Sequence, residues 1–164
     1  MASEISSLAS LYESVGRYQE AIFNDLKVQE VAPFTDIGFE SMLSAANLSK
    51  MIGKTPEAEK IYQKLLHRFD NTLKEKISVE KESAVYQAKG VVYEEMGHNV
   101  EAVLAYQKAA RLFPNWINPH SSLHKIYLKL GDHASAEQEF GIIQRLDMEV
   151  ARSIKEATSI IKVK

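Results

Sequence analysis

Four glycines set the terms on which this chain folds. Gly16, Gly53, Gly97 and Gly131 each have an alanine five residues on: Ala21, Ala58, Ala102 and Ala136. With alanine at roughly a tenth of the residues, chance supplies about one such pair among the seven glycines present. The four glycines lie 37, 44 and 34 residues apart, a period of stacked helical hairpins rather than of a closed globule. The flanking columns hold the same register. Tyr12, Ser49, Tyr93 and Tyr127 stand four residues before the glycines, and Leu8, Ala45, Lys89 and Leu123 a turn earlier. Asp25, Tyr62, Tyr106 and Phe140 stand four residues after the alanines, followed three further on by Val28, Leu65, Ala109 and Ile143. Recurrence at three and four lays one apolar stripe along each helix.

Each column has a physical reason. A glycine after a first helix adopts the left-handed conformation that ends it. A small alanine across the turn lets the second helix approach the first, and aromatic side chains fill the space between one hairpin and the next. The pattern predicts helices near 3–15, 18–31, 37–52, 56–70, 79–96, 100–112, 119–130 and 134–146. Thr55-Pro56-Glu57 and Asn118-Pro119 read as helix starts, and Asn99 and Asp132 as caps. Pro33 and Pro114 close the first and third units. Extra residues lie around Ala32-Pro33-Phe34-Thr35-Asp36 and, more extensively, between the second and third units. There Thr72 and Glu75 have the spacing of a capping box in a charged stretch without proline or glycine, which predicts added helical turns over about 70–82 rather than a linker. Val150, Ile154, Ala157 and Ile161 lay one apolar face along a final helix over 149–162, suited to cover the last repeat. At the amino-terminal end only Met1 to Glu4 lead into the first helix pair, which fits a segment of a longer chain.

These residues resemble the tetratricopeptide repeat, a 34-residue helix–turn–helix unit. The nearest unit holds Tyr86, Gly90, Tyr93, Gly97, Ala102, Tyr106, Ala109 and Pro114, and the next follows at 34 residues. The first two units depart from the pattern, with Asp25 in place of an aromatic and Ser49 in place of a tyrosine. The resemblance implies an all-α, right-handed solenoid of about eight repeat helices plus a C-terminal solvating helix, as one domain over 1–164. Its units fall near 2–35, 39–72, 83–116 and 117–148.

Composition narrows the chemistry. The chain has no cysteine, which excludes disulfide scaffolds, thiolate metal sites and thiol catalysis. Twenty Lys and Arg against 22 Asp and Glu give a net charge of −2, which argues against a nucleic-acid binder working by bulk charge. No apolar run has the length of a membrane span or a signal peptide, so a cytoplasmic protein is expected. His120 and His124 have the i, i+4 spacing of a metal pair, but no third ligand accompanies them and both fall in columns that face the inside of a hairpin. His67, His98 and His133 read as surface residues. No nucleophile elbow, phosphate loop or dinucleotide fingerprint occurs, and adjacent Glu94 and Glu95 point in different directions. No enzyme, metal or cofactor is expected. Trp116, the single tryptophan, reads as a staple of the turn between the third and fourth units.

The resemblance further implies a groove lined by the first helix of each unit. Ser6, Ser10 and Glu13 match it in the first unit, and Ser44, Asn47 and Lys50 in the second. Gln87, Val91 and Glu94 follow in the third, then Asn118, Ser121, Lys125 and Lys129 in the fourth. Small and amide side chains there suit hydrogen bonding to a peptide backbone. A carboxylate clamp for the termini of heat-shock chaperones is not implied. The positions that would carry it hold Ser6, Ser10, Ser44, Ala84 and Ala88, or in the next register Leu43, Asn47, Ala88, Asn118 and Ser122, with no cation among them. The expected function is a scaffold that binds a peptide or helix of a partner protein. The alternatives are a helical-repeat binder of single-stranded RNA, disfavoured by the pI of about 6.2, and a dedicated secretion-type chaperone.

Overall fold

The structure, a computed structural model, describes residues 1–32 and 35–161; the side chains of residues 150, 151 and 153–161 lie outside that description. Among the described residues there are eight helices and no strand. They are α1 (Ala2–Ser14), α2 (Tyr18–Val31), α3 (Asp36–Met51), α4 (Thr55–Thr72), α5 (Val79–Met96), α6 (Asn99–Leu112), α7 (Ile117–Leu130) and α8 (His133–Ile161). Pairs α1–α2, α3–α4, α5–α6 and α7–α8 are the four hairpins that the glycine–alanine columns mark.

The four turns are built alike. Gly16, Gly53, Gly97 and Gly131 have φ of +77°, +80°, +81° and +77°. In each, the next residue's N–H reaches back to the carbonyl four residues before the glycine: Arg17 to Tyr12 at 2.9 Å, Lys54 to Ser49 at 2.8 Å, His98 to Tyr93 at 2.8 Å and Asp132 to Tyr127 at 2.9 Å. This is the Schellman arrangement, which satisfies carbonyls that the helix end would otherwise leave unpaired. Ala21, Ala58, Ala102 and Ala136 are all buried where the second helix meets the first.

The chain divides into two compact units. One comprises Met1–Glu75 with Glu95–Gly97, and the other Lys76–Glu94 with the residues from His98 on. In the first, Met42, Ala45, Ala46 and Leu48 of α3 are buried, with Val28 of α2 and Tyr62 and Leu65 of α4. In the second, Ala102 and Tyr106 of α6 form a cluster with Leu123 and Ile126 of α7, and Val91, Tyr93, Val103, Ala110 and Tyr127 pack around it. Gly90 sits where α5 meets α6 so closely that a Cβ there would overlap the Tyr106 ring. Ser83, fully buried on α5, donates from its hydroxyl to the Ala109 carbonyl at 2.9 Å. Ser83→Ala is expected to cost about 1 kcal/mol, the net value of one buried neutral hydrogen bond, read as a lowered midpoint in urea.

Three local expectations are corrected. First, the segment after α4 does not extend as helix. Residues 73–78 are turn and irregular chain, because the Thr72 hydroxyl donates back to the Arg68 carbonyl at 3.1 Å instead of capping a new helix. Ser78 opens α5, its side-chain oxygen accepting from Lys81 N–H at 3.3 Å. Second, no break separates a repeat helix ending near 146 from a helix starting at 149. α8 runs unbroken from His133 to Ile161, since no proline or capping glycine interrupts 142–161. The apolar face expected from Val150, Ile154, Ala157 and Ile161 lies outside the described side chains, as Pro33 and Phe34 lie outside the described residues. Third, Thr55 and Asn118 do not cap: α4 and α7 begin without a side-chain cap bond, and Asn99 lies inside the first turn of α6. Asp132 does cap, accepting from Ser135 N–H at 3.1 Å, and the same contact holds its carboxyl below the usual range. Thr35 caps α3 through Gly38 N–H at 3.1 Å.

Candidate functional site

The first helices of neighbouring hairpins lie side by side within each unit. In the first unit α1 adjoins α3. Ser10 is exposed on α1 and its hydroxyl donates back to the Ser6 carbonyl at 3.2 Å. Glu13 is exposed. Lys50 is exposed as well, and its ammonium donates to the Glu95 carbonyl at 2.5 Å. Asn47 is half-buried, its side-chain oxygen accepting from the Tyr62 hydroxyl, so it works in the packing of α3 on α4.

Ser44 has a second duty. With Ser41 it hydrogen-bonds Asp25, the carboxylate that occupies an aromatic column. Asp25 is buried, and burial pushes its pKa up to about 6, with nearby Glu13 adding to the rise and the two serines opposing it.

In the second unit α5 and α7 meet through Gln87, whose amide N–H donates to the Ser122 hydroxyl at 2.9 Å. The Gln87 side-chain oxygen is buried without a partner. Rotating the amide would only exchange an orphan acceptor for an orphan donor. Ser121 is half-buried on α7, while Asn118, Lys125 and Lys129 are exposed. Val91 packs against the hydrophobic cluster, and Glu94 accepts from the Tyr106 hydroxyl at 3.0 Å. Val91, Glu94 and Asn47 are thus committed to packing, and this was not readable from their spacing. Ser6, Ser10, Glu13 and Ser44 share one unit with Lys50, and Gln87, Asn118, Ser121, Lys125 and Lys129 share the other.

The histidine pair is spent on structure. His120 is buried, with Nδ1 2.7 Å from Glu139 Oε2 and Nε2 3.0 Å from the Pro114 carbonyl. His124 Nδ1 lies 2.9 Å from the Ala136 carbonyl, and its ring packs on Phe140 with centroids 5.5 Å apart. Among the described residues, no three acidic or histidine side chains converge as metal ligands. Trp116 is half-buried at the start of α7.

Residues 83–115 match the tetratricopeptide repeat, and so do residues 5–22. The chain carries tetratricopeptide repeats. Solved structures of the same repeat architecture cover nearly all of it. MamA from Desulfovibrio magneticus superposes with a TM-score of 0.55 at 19% identity, over 91% of this chain and 77% of that one. BtubC from P. vanneervenii gives 0.61 at 21%, over 92% and 64%. A tetratricopeptide repeat protein from Parabacteroides merdae gives 0.53 at 15%, over 90% and 54%. At these identities the likeness is one of fold. No curated protein matches the sequence of this repeat protein, and no helix among its described residues is long and apolar enough to cross a membrane.

Proposed function

We propose that this repeat protein is a non-catalytic interaction scaffold that holds an extended peptide or a helix of a partner protein. Binding takes place against the first-helix faces of its hairpins, α1 with α3 and α5 with α7. The observation that carries the reading is the Gln87 side-chain oxygen, a buried acceptor left unpaired between α5 and α7. An orphan of this kind costs on the order of 1–3 kcal/mol. The oxygen itself is covered, but the residue is half-buried, so a ligand's backbone N–H relieves that cost once the Gln87 side chain turns outward to meet it. Exposed Lys125 and Lys129 beside it favour an acidic ligand on that unit.

A photo-cross-linking residue placed at Ser121, and in a parallel variant at exposed Glu101 on α6, tests the face directly. Covalent capture of one partner from Ser121 alone is the expected result; capture from Glu101 alone moves the site to the second helices and overturns the reading. With that partner in hand, Gln87→Met is expected to weaken binding about tenfold while leaving thermal stability unchanged or raised, because it removes the orphan acceptor.

A further inference from the structure

A cavity of about 400 Å³ opens between α2 and α4, the second helices of neighbouring hairpins. Gln29 of α2 lines one side, and Lys64, His67 and Arg68 of α4 line the other. Met42 of α3, 1% exposed, closes it from within. The Lys64 ammonium donates to the Gln29 side-chain oxygen at 2.9 Å, so the two walls are tied together. The described lining residues all belong to the first unit. This volume is that of a small-molecule site rather than of a bed for a helix.

The lining has more donors to offer than acceptors. Gln29 already accepts from Lys64, and the side-chain oxygen of Asn71 accepts from Lys74 Nζ at 3.0 Å. The carbonyls that end α4 would bring partial negative charge, but they are taken too. The Arg68 carbonyl accepts from the Thr72 hydroxyl, that of Phe69 from Leu73 N–H and that of Asn71 from Lys74 N–H. On the donor side, the Lys64 ammonium has three N–H groups, one of which goes to Gln29. Arg68 presents a planar fork suited to two oxygens at once, and its Nη1 is buried. Burial also lowers the Arg68 pKa, so an anion meets this charge at a lower effective dielectric than the open surface gives. Glu75, exposed, is the one carboxylate among the described lining residues.

The charges decide the class of anion. Lys64 and Arg68 against Glu75 leave the lining at +1 with His67 neutral, which matches a monoanion; a phosphate dianion would keep an uncompensated charge. Met42 and the aliphatic stems of Lys64 and Arg68 supply apolar contact for the rest of the ligand. We propose that this cavity is a ligand site, separate from the first-helix faces, for a small carboxylic acid with an apolar body. Its carboxylate is held between the Lys64 ammonium and the Arg68 guanidinium, and its body lies against Met42.

The test is a titration of 3-phenylpropionate into the intact protein, followed by NMR of its isotope-labelled methionine methyl groups. A saturable shift of the Met42 resonance at about millimolar concentration is expected, the range of so small a ligand, with exposed Met51 unmoved. The neutral 3-phenylpropanamide is expected to bind at least about fivefold more weakly, and phenyl phosphate no more tightly than the acid. Lys64→Gln, at an exposed position, and Arg68→Gln are each expected to weaken the acid at least about fivefold with circular dichroism unchanged. Glu75→Gln removes the opposing carboxylate and is expected to tighten it about twofold. Lys125→Glu is expected to leave it unaltered, which separates this site from the groove of the proposed function. Absence of a saturable shift at Met42, or acid binding that Lys64→Gln leaves intact, overturns the assignment. So does an amide that binds as well as the acid, or a phenyl phosphate that binds more tightly.

Discussion

Gly90→Ala is expected to destabilise the fold by about 2–3 kcal/mol, lowering the melting temperature by on the order of 5–10 °C. The direction is the opposite of the usual one, because alanine in a helix interior is better than glycine by about 1 kcal/mol. Gly90 lies inside α5, and a Cβ there would overlap Cε1 and Cδ1 of the Tyr106 ring. Tyr106 has little room to yield. It is 1% exposed, clustered with Leu123 and Ile126, and tied to Glu94 through its hydroxyl. The clash is specific, so the double variant with Tyr106→Leu should be less than the sum of its parts, with a coupling above about 1 kcal/mol. Urea unfolding of the four proteins measures this. A neutral or stabilising Gly90→Ala would mean that helix propensity outweighs the close approach of α5 and α6.

The second large effect belongs to Asp25 and is read against pH. Its folded pKa is about 6, where an unfolded aspartate titrates near 4, so the folded state holds the extra proton between those values. The contribution is therefore fully present below about pH 4 and lost as pH rises through 6, a decline of about 3 kcal/mol. Asp25→Asn removes the titration while keeping the shape. The difference in unfolding free energy, variant minus wild type, should climb between pH 4 and 6.5 and then level off, with the variant the more stable at pH 7.5. Glu20 and Asp132, held low by Arg17 and by the Ser135 contacts, work in the other direction near pH 4 and cancel in that difference. A difference that stays flat with pH would show that the Ser41 and Ser44 hydrogen bonds keep the carboxylate charged at little cost.

The repeat was legible because its signals are local. A glycine with positive φ, an alanine five residues on and a stripe at three and four are all set within one hairpin, and the structure places all four copies. What depended on another hairpin was not legible. Asp25 stood out as a carboxylate in an aromatic column, but its stabilising partners Ser41 and Ser44 are supplied by α3 and only the packing of α2 on α3 brings them near. In the same way Asn47, Gln87 and Glu94 match positions where the repeat resemblance implies a groove, yet their partners Tyr62, Ser122 and Tyr106 come from other helices. The residues after Asp70 misled for a different reason. Charge and the absence of helix breakers favour a helix, but the Thr72 hydroxyl had a nearer acceptor in its own helix.

The lengths along this chain vary in one place and not in another. Connections between hairpins differ, while the step from turn glycine to packed alanine is five residues every time. In an α-helix each residue turns the side chain by about 100°, so the step fixes the rotational phase of the second helix against the first. Losing one residue between Gly131 and Ala136 would swing the whole of α8 by that angle, carrying Ala136 out of the contact and Glu137 into it. An insertion at 73–78 leaves the phase within each hairpin untouched, because that segment lies between hairpins. Insertions and deletions in related sequences should accordingly gather between hairpins and be purged from the turns, so that the length of each connection records the history of the chain while the length of each turn does not.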